Sequence, residues 1–138
     1  MGRILGLDPG SRRCGVAITD SGRSMAFPRP AIVVDDHLSV LIGQLVEEES
    51  VDLVVVGRPV ALSGRETSST LLADTLYQTL RDALHHTSVI QWDERLTTRE
   101  ATRHLHVAGH RTEAHRDRVD SAAATVMLES YLEWLRES

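Results

Sequence analysis

Residues 3–20 constrain the fold of this chain most strongly. An apolar run, Ile4-Leu5-Gly6-Leu7, ends in Asp8, a tight turn containing Pro9 and Gly10 follows, and a second apolar run, Gly15-Val16-Ala17-Ile18, leads away to Asp20. Two such runs joined by a short turn predict a β-hairpin. Asp8 then stands at the rim of the hairpin on a rigid strand, where a metal or phosphate ligand is held with little displacement. The plainer alternative is a turn-forming Asp, since Asp, Pro and Gly all serve turns.

The rest of the chain reads as one α/β domain spanning 1–138. No repeat, low-complexity tract or Pro/Gly/Ser-rich linker divides it. Residues 25–34 read as a third strand, which Pro28 and Pro30 confine to an edge or an irregular start. Leu38, Leu41, Ile42, Leu45 and Val46 follow the spacing of one helix face. Leu53-Val54-Val55-Val56 is an unbroken aliphatic strand of the kind buried on both faces. Ser63-x-x-Glu66 has the pattern of a capping box, opening a helix to about His85 with Leu72, Leu76, Leu80 and Leu84 on one side. Val89 to Trp92 gives a fifth strand. A second capping-box pattern, Thr97-x-x-Glu100, opens a helix ending near Gly109, and a last helix runs from about Arg118. This order predicts a mixed five-stranded sheet, its first three strands antiparallel, with helices on both faces.

Composition narrows the function classes. At 138 residues and 41% hydrophobic content the chain can bury a proper core without a staple. Its single cysteine, Cys14, rules out an internal bridge, and no Cys/His spacing suggests zinc. With no charged leader, no long apolar segment and no myristoylation pattern, a cytoplasmic protein is expected. The net charge of -5 argues weakly against indiscriminate polyanion binding. Its distribution is uneven, however. All 15 basic residues are arginine, and residues 95–118 carry six of them and four histidines against three acids. Arginine suits forked phosphate contacts. An all-arginine composition also fits a GC-rich genome; if the arginines do grip phosphate, Arg12, Arg58, Arg95, Arg99, Arg116 and Arg118, around the acidic positions, are the expected nucleic-acid contacts. Arg99 and Arg103, four apart, also fit an ordinary solvated helix face. Residues 109–117 lack apolar periodicity and are expected to be a mobile loop. No histidine has an identifiable base's partner, so none is given a catalytic role.

Three acidic positions fall where strand or helix ends could present them together: Asp8, the Asp93-Glu94 pair after the fifth strand, and Asp120 at the start of the last helix. Such a set suits a hard cation such as Mg²⁺ or Mn²⁺, which takes oxygen ligands and completes its shell with water. Each acid also has a structural reading. Asp120 could complement its helix dipole, and one of the pair could bond backbone amides or Arg95. Strand alternation sends Asp93 and Glu94 to opposite faces, so at most one should reach a metal. Glu94, with the longer reach, is favoured.

These residues resemble the YqgF/RuvX family of the RNase H-like superfamily over essentially the whole chain. The resemblance is carried by Leu7-Asp8-x-Gly10 with Gly15-Val16-Ala17-x-x-Asp20, by Val55-Val56-Gly57-x-Pro59 followed by Gly64, by Asp93-Glu94-Arg95-Leu96-Thr97-Thr98, and by Val119-Asp120-x-Ala122-Ala123. It implies an RNase H-like fold and divalent-metal nuclease chemistry, with two ions when substrate is bound. The implied catalytic residues are Asp8, Glu94 and Asp120, with Asp8, Asp93, Glu94 and Asp120 as candidate metal ligands. It further implies nucleic-acid partners: the 5′ end of pre-16S ribosomal RNA first, a Holliday junction as the alternative. The chain departs from RuvC-type resolvases at the end of the fourth strand, where they carry an acid and this chain has Gly57-Arg58-Pro59. It also places Arg13-Cys14 in the expected turn, with an exposed thiol.

Two other function classes remain to be weighed. An actin-like phosphotransferase shares Asp8-x-Gly10 but needs two related domains, and this chain has length for one. A non-catalytic RNA-binding assembly module would retain the acids for structure alone. A membrane role is not expected, and the protein should be a monomer or weak homodimer.

Overall fold

The computed structural model describes residues 2–97 and 121–138. β1 (Arg3–Pro9) and β2 (Arg13–Thr19) form the expected hairpin, with Leu7 opposite Val16 and Asp8 opposite Gly15. β3 (Ala26–Val33) pairs antiparallel with β2 and lies at one margin of the sheet. Pro28 and Pro30 explain that place, since proline has no N–H to offer a further strand. After α1 (Leu38–Glu48), β4 (Val51–Arg58) runs parallel to β1. α2 (Ser68–Ala83) leads to β5 (Ser88–Asp93), parallel to β4. A 3₁₀ turn, Glu94–Leu96, follows β5, and α3 (Ala122–Glu137) closes the described chain. The five-stranded order β3-β2-β1-β4-β5 makes β1 central.

Side-chain alternation sorts the core into two layers. Leu5, Leu7, Val54 and Val56 meet Ile42 of α1 and Ala73, Leu76 and Leu80 of α2. Ile4, Ala17, Val55 and Trp92 meet Met127, Leu128 and Leu132 of α3. Each large aliphatic fully buried here contributes roughly 1.5–3 kcal/mol. α3 approaches β1 closely: a Cβ on Gly6 would stand 3.1 Å from Leu128 Cβ.

Two expectations need correction. Ser63 and Glu66 do not open α2. Thr67 does, its Oγ1 accepting from Thr70 N at 3.4 Å while Thr70 Oγ1 accepts from Thr67 N at 2.9 Å. The same spacing occurs twice within a few residues, and pattern alone cannot choose between them. Ser63 instead accepts from Arg65 N at 3.4 Å within the preceding loop, and the helix ends at Ala83 rather than His85. Cys14, expected in an exposed turn, is 0% exposed, because β2 begins at Arg13, two residues before the expected start, and aims Cys14 into the α1–α2 layer. Burial, then the nearby charge of Asp8, pushes its thiol up to about 12. The helix expected from Thr97 and the loop expected at 109–117 lie outside the described residues, apart from Thr97, which ends the 3₁₀ turn.

Candidate active site

The site is built at the carboxyl ends of β1, β4 and β5. On β1, Ile4 and Gly6 face α3, so Asp8, two residues further on, faces the same side. On β4, Val55 faces α3 and Gly57 repeats that direction. Gly57 has no side chain, and a Cβ added there would stand 3.4 Å from Cγ, Cδ and Oε1 of Glu94. Glu94, carried on the 3₁₀ turn after β5, therefore lies over Gly57. Its carboxyl group lies close enough to that of Asp8 for the two to shift one another's titration.

Two carboxyl groups can share a hydrogen bond only if one of them keeps a proton. Burial is the largest cause of the shift at both. Burial, then the charge of Asp8 and the bond to it, then the charge of Asp93, pushes Glu94 up to about 8. Burial also raises Asp8, while its bond to Glu94 works in the opposite direction. Both shifts favour retention of a proton by the pair.

Asp93 lies on the other face. It caps the 3₁₀ turn by accepting from Arg95 N at 2.9 Å. It also takes the Arg95 guanidinium in a fork, with Nε at 3.0 Å and Nη2 at 2.6 Å from Oδ2. This hydrogen bonding to Arg95 holds its carboxyl below the usual carboxylate range. Arg58, next to Gly57, points toward α2 by the same alternation. Its Nε and Nη2 lie 2.9 and 3.2 Å from the two oxygens of Asp74, and Gln91 donates to Asp74 at 2.8 Å. The bonds from Arg58 and Gln91 hold the Asp74 carboxyl below its ordinary value. The strand ends thus separate an acid pair on the α3 side from a lattice of ion pairs on the α2 side.

Of the residues expected from sequence, Asp8 and Glu94 stand together, whereas Asp93, Arg58 and Arg95 are engaged with one another's neighbourhood across the sheet. Arg12 is exposed in the β1–β2 turn, where its carbonyl accepts from Val34 N at 2.9 Å. Asp120, Arg99, Arg116 and Arg118 lie outside the described residues. Among the described residues no group of three or more His, Cys, Asp or Glu side chains could hold a metal.

Sequence reasoning missed three contributors. Asp74 and Gln91 carried no motif, although Gln91 shares its strand face with Asp93. Ser121 seemed merely small. It is buried, accepts from Val16 N at 2.9 Å and donates to the Arg29 carbonyl at 2.6 Å, pinning the start of α3 across β2 and β3.

A family model described as RuvX: Holliday junction resolvase matches residues 2–134. The chain belongs to the RuvX family. RuvX-type relatives of similar length include a protein of Corynebacterium jeikeium named "Putative pre-16S rRNA nuclease", 36% identical, with 99% of this chain and 90% of that protein covered. A protein of the same name from Mycolicibacterium paratuberculosis is 40% identical, covering 98% of this chain and 82% of its own length. Among solved structures, Thermus thermophilus RuvC in complex with a Holliday junction superposes with a TM-score of 0.64 at 11% identity, covering 100% of this chain and 98% of RuvC. The fowlpox virus resolvase in complex with Holliday junction DNA gives 0.55 at 14% identity, covering 96% and 98%. At such identities the likeness shows the fold, which is RNase H-like, as expected for RuvX members.

Proposed function

We propose that this chain is a divalent-metal nuclease that hydrolyses phosphodiester bonds in structured nucleic acid, with the 5′ end of pre-16S ribosomal RNA as its substrate. The observation that carries the reading is the placement of Glu94 over Gly57 beside Asp8, both desolvated at the end of the central strands. A half-buried acid pair with no basic partner on its own face among the described residues weakens a fold, so its retention suits a ligand that brings positive charge.

The donor set fits Mg²⁺ or Mn²⁺, being hard carboxylate oxygens on rigid elements. Asp8 and Glu94 would hold the cation, and Asp120 is the third candidate. A pair of such ions, when bound with substrate, supplies an activated water and neutralises charge at the leaving oxygen. Asp8 and Glu94 would lose any proton they hold on ligating a cation, so metal affinity should rise with pH. Gly57 leaves the room in which Glu94 reaches Asp8. Asp93, by its bond to Arg95 N, fixes the turn that carries Glu94. Arg12, exposed in the β1–β2 turn, would meet a phosphate. Arg58 and Arg95 would do so through donors their carboxylate partners do not occupy, and Arg99, Arg116 and Arg118 would extend the grip. We place the activity in one cytoplasmic domain acting as a monomer or weak dimer. No described helix is long and apolar enough to cross a membrane.

A second reading, Holliday junction resolution, is favoured by the family's own description. One experiment separates the two. Precursor ribosomal RNA and a four-way DNA junction are incubated side by side with wild type, Asp8→Asn and Glu94→Gln, with Mg²⁺ or with chelator. Cleavage of the precursor by wild type, lost in both variants and with chelator while circular dichroism stays native, is the expected result. Wild-type rates in both variants would leave these acids structural and favour the binding-module alternative.

A further inference from the structure

The Gly57-x-Pro59 and Gly64 motif is only partly accounted for by the room it leaves to Glu94. Between β4 and the Thr67 cap of α2 the chain forms a short loop, residues 59–66. At its tip Leu62 is 92% exposed, more than any other large apolar side chain among the described residues. A single exposed leucine is ordinary on a protein surface, so the loop around it has to decide.

That loop is well braced. Gly64 N donates to the Ala61 carbonyl at 2.7 Å and Ala61 N to the Arg65 carbonyl at 3.0 Å, closing a ring around Leu62 and Ser63. Gly64 has φ +87°, a left-handed conformation that side chains strain to adopt. At one stem Thr70 Oγ1 donates to the Pro59 carbonyl. At the other, Glu66 lies 3.6 Å from Arg58, which Asp74 holds in its fork. A Cβ on Gly64 would stand 3.7 Å from Arg95 Nη1, so this cation borders the loop, and Arg65 lies exposed within it. An apolar tip on a hydrogen-bonded loop, with Arg95 at its border and Arg65 exposed within it, therefore projects from the same sheet end that carries Asp8 and Glu94.

We propose that Leu62 is a wedge that inserts between adjacent bases of the substrate, with Arg65 and Arg95 on the flanking phosphates, opening a stacked step beside the bond to be cut. The inference rests on the nuclease reading and adds to it the class of substrate: nucleic acid with a stacked step to open, at a junction or duplex end. Leucine is among the side chains that unstack base steps in this way. RNA and DNA both offer such a step, and the test distinguishes them.

The test uses 2-aminopurine placed at the step next to the cleavage site in three substrates: an RNA duplex with a 5′ single-stranded flank, a four-way DNA junction, and an unpaired strand. Binding is followed with Ca²⁺ replacing Mg²⁺, and cleavage with Mg²⁺. Wild type should raise 2-aminopurine fluorescence on the RNA duplex, the junction, or both, which identifies the source. Leu62→Ala should abolish most of that rise and lower kcat/KM on the same substrate by about tenfold more than on the unpaired strand. Leu62→Met, which keeps an apolar tip, should restore both. An equal fluorescence rise and equal cleavage in Leu62→Ala would overturn the wedge and leave the nuclease reading intact. Absence of cleavage of all three substrates by wild type would overturn both.

Discussion

Glu94 shows how one side chain acquires a chemistry its sequence position does not reveal. Its ordinary value is 4.5, and burial beside Asp8 pushes it up to about 8. Between those values the folded chain binds the proton that the unfolded chain has released. The contribution to stability is therefore fully present below about 4.5 and is lost as pH rises through about 8. In metal-free buffer the melting temperature should fall across this window, and Glu94→Gln should flatten the profile, as read by thermal denaturation at a series of pH values. Added Mg²⁺ should oppose the fall and release protons detectably. The geometry over Gly57 makes a second expectation. An acid introduced as Gly57→Asp should restore part of the cleavage lost in Glu94→Ala, since its carboxylate would rise into the space Glu94 vacates. No gain over Glu94→Ala alone would mean that the pair needs the reach of the 3₁₀ turn. Strand alternation was enough to predict that Asp93 and Glu94 part ways. Which of them meets Asp8 depends on the missing side chain at position 57, one strand over, and a tertiary contact of that kind has no local signature.

At the scale of elements, periodicity and proline placement read well and hydrogen-bonded joints did not. All five strands stand within two residues of their expected starts, because alternation and unbroken aliphatic runs report burial directly. The start of α2 was misplaced because Ser63-x-x-Glu66 and Thr67-x-x-Thr70 compete within one loop, and only the loop's own closure consumes the first. The joint at Ser121 was likewise invisible, its partners lying 105 and 92 residues away. Ser121→Ala would strand the buried Val16 N–H and leave the Arg29 carbonyl without this donor, at a cost of about 2 kcal/mol. Urea unfolding should register that loss as a lower midpoint with an unchanged slope. A loss below about 0.5 kcal/mol would mean that water or a neighbour replaces the hydroxyl.

For the molecule as a whole, the two faces of the sheet differ in when they can be completed. The α1–α2 layer is assembled from segments that follow one another closely in the chain, whereas the other face waits for α3. A chain ending at residue 97 lacks Ala124, Met127, Leu128 and Leu132, and should fail to fold cooperatively, binding a hydrophobic dye that the full chain does not. During synthesis the same shortage is unavoidable and temporary. From the end of β5 at residue 93 to the end of α3 at residue 137, translation at about 5–20 residues per second takes roughly 2–9 s. For that interval Ile4, Ala17, Val55 and Trp92 present bare hydrocarbon on the nascent chain, and slowing the ribosome across this stretch should lower soluble yield in step with the delay.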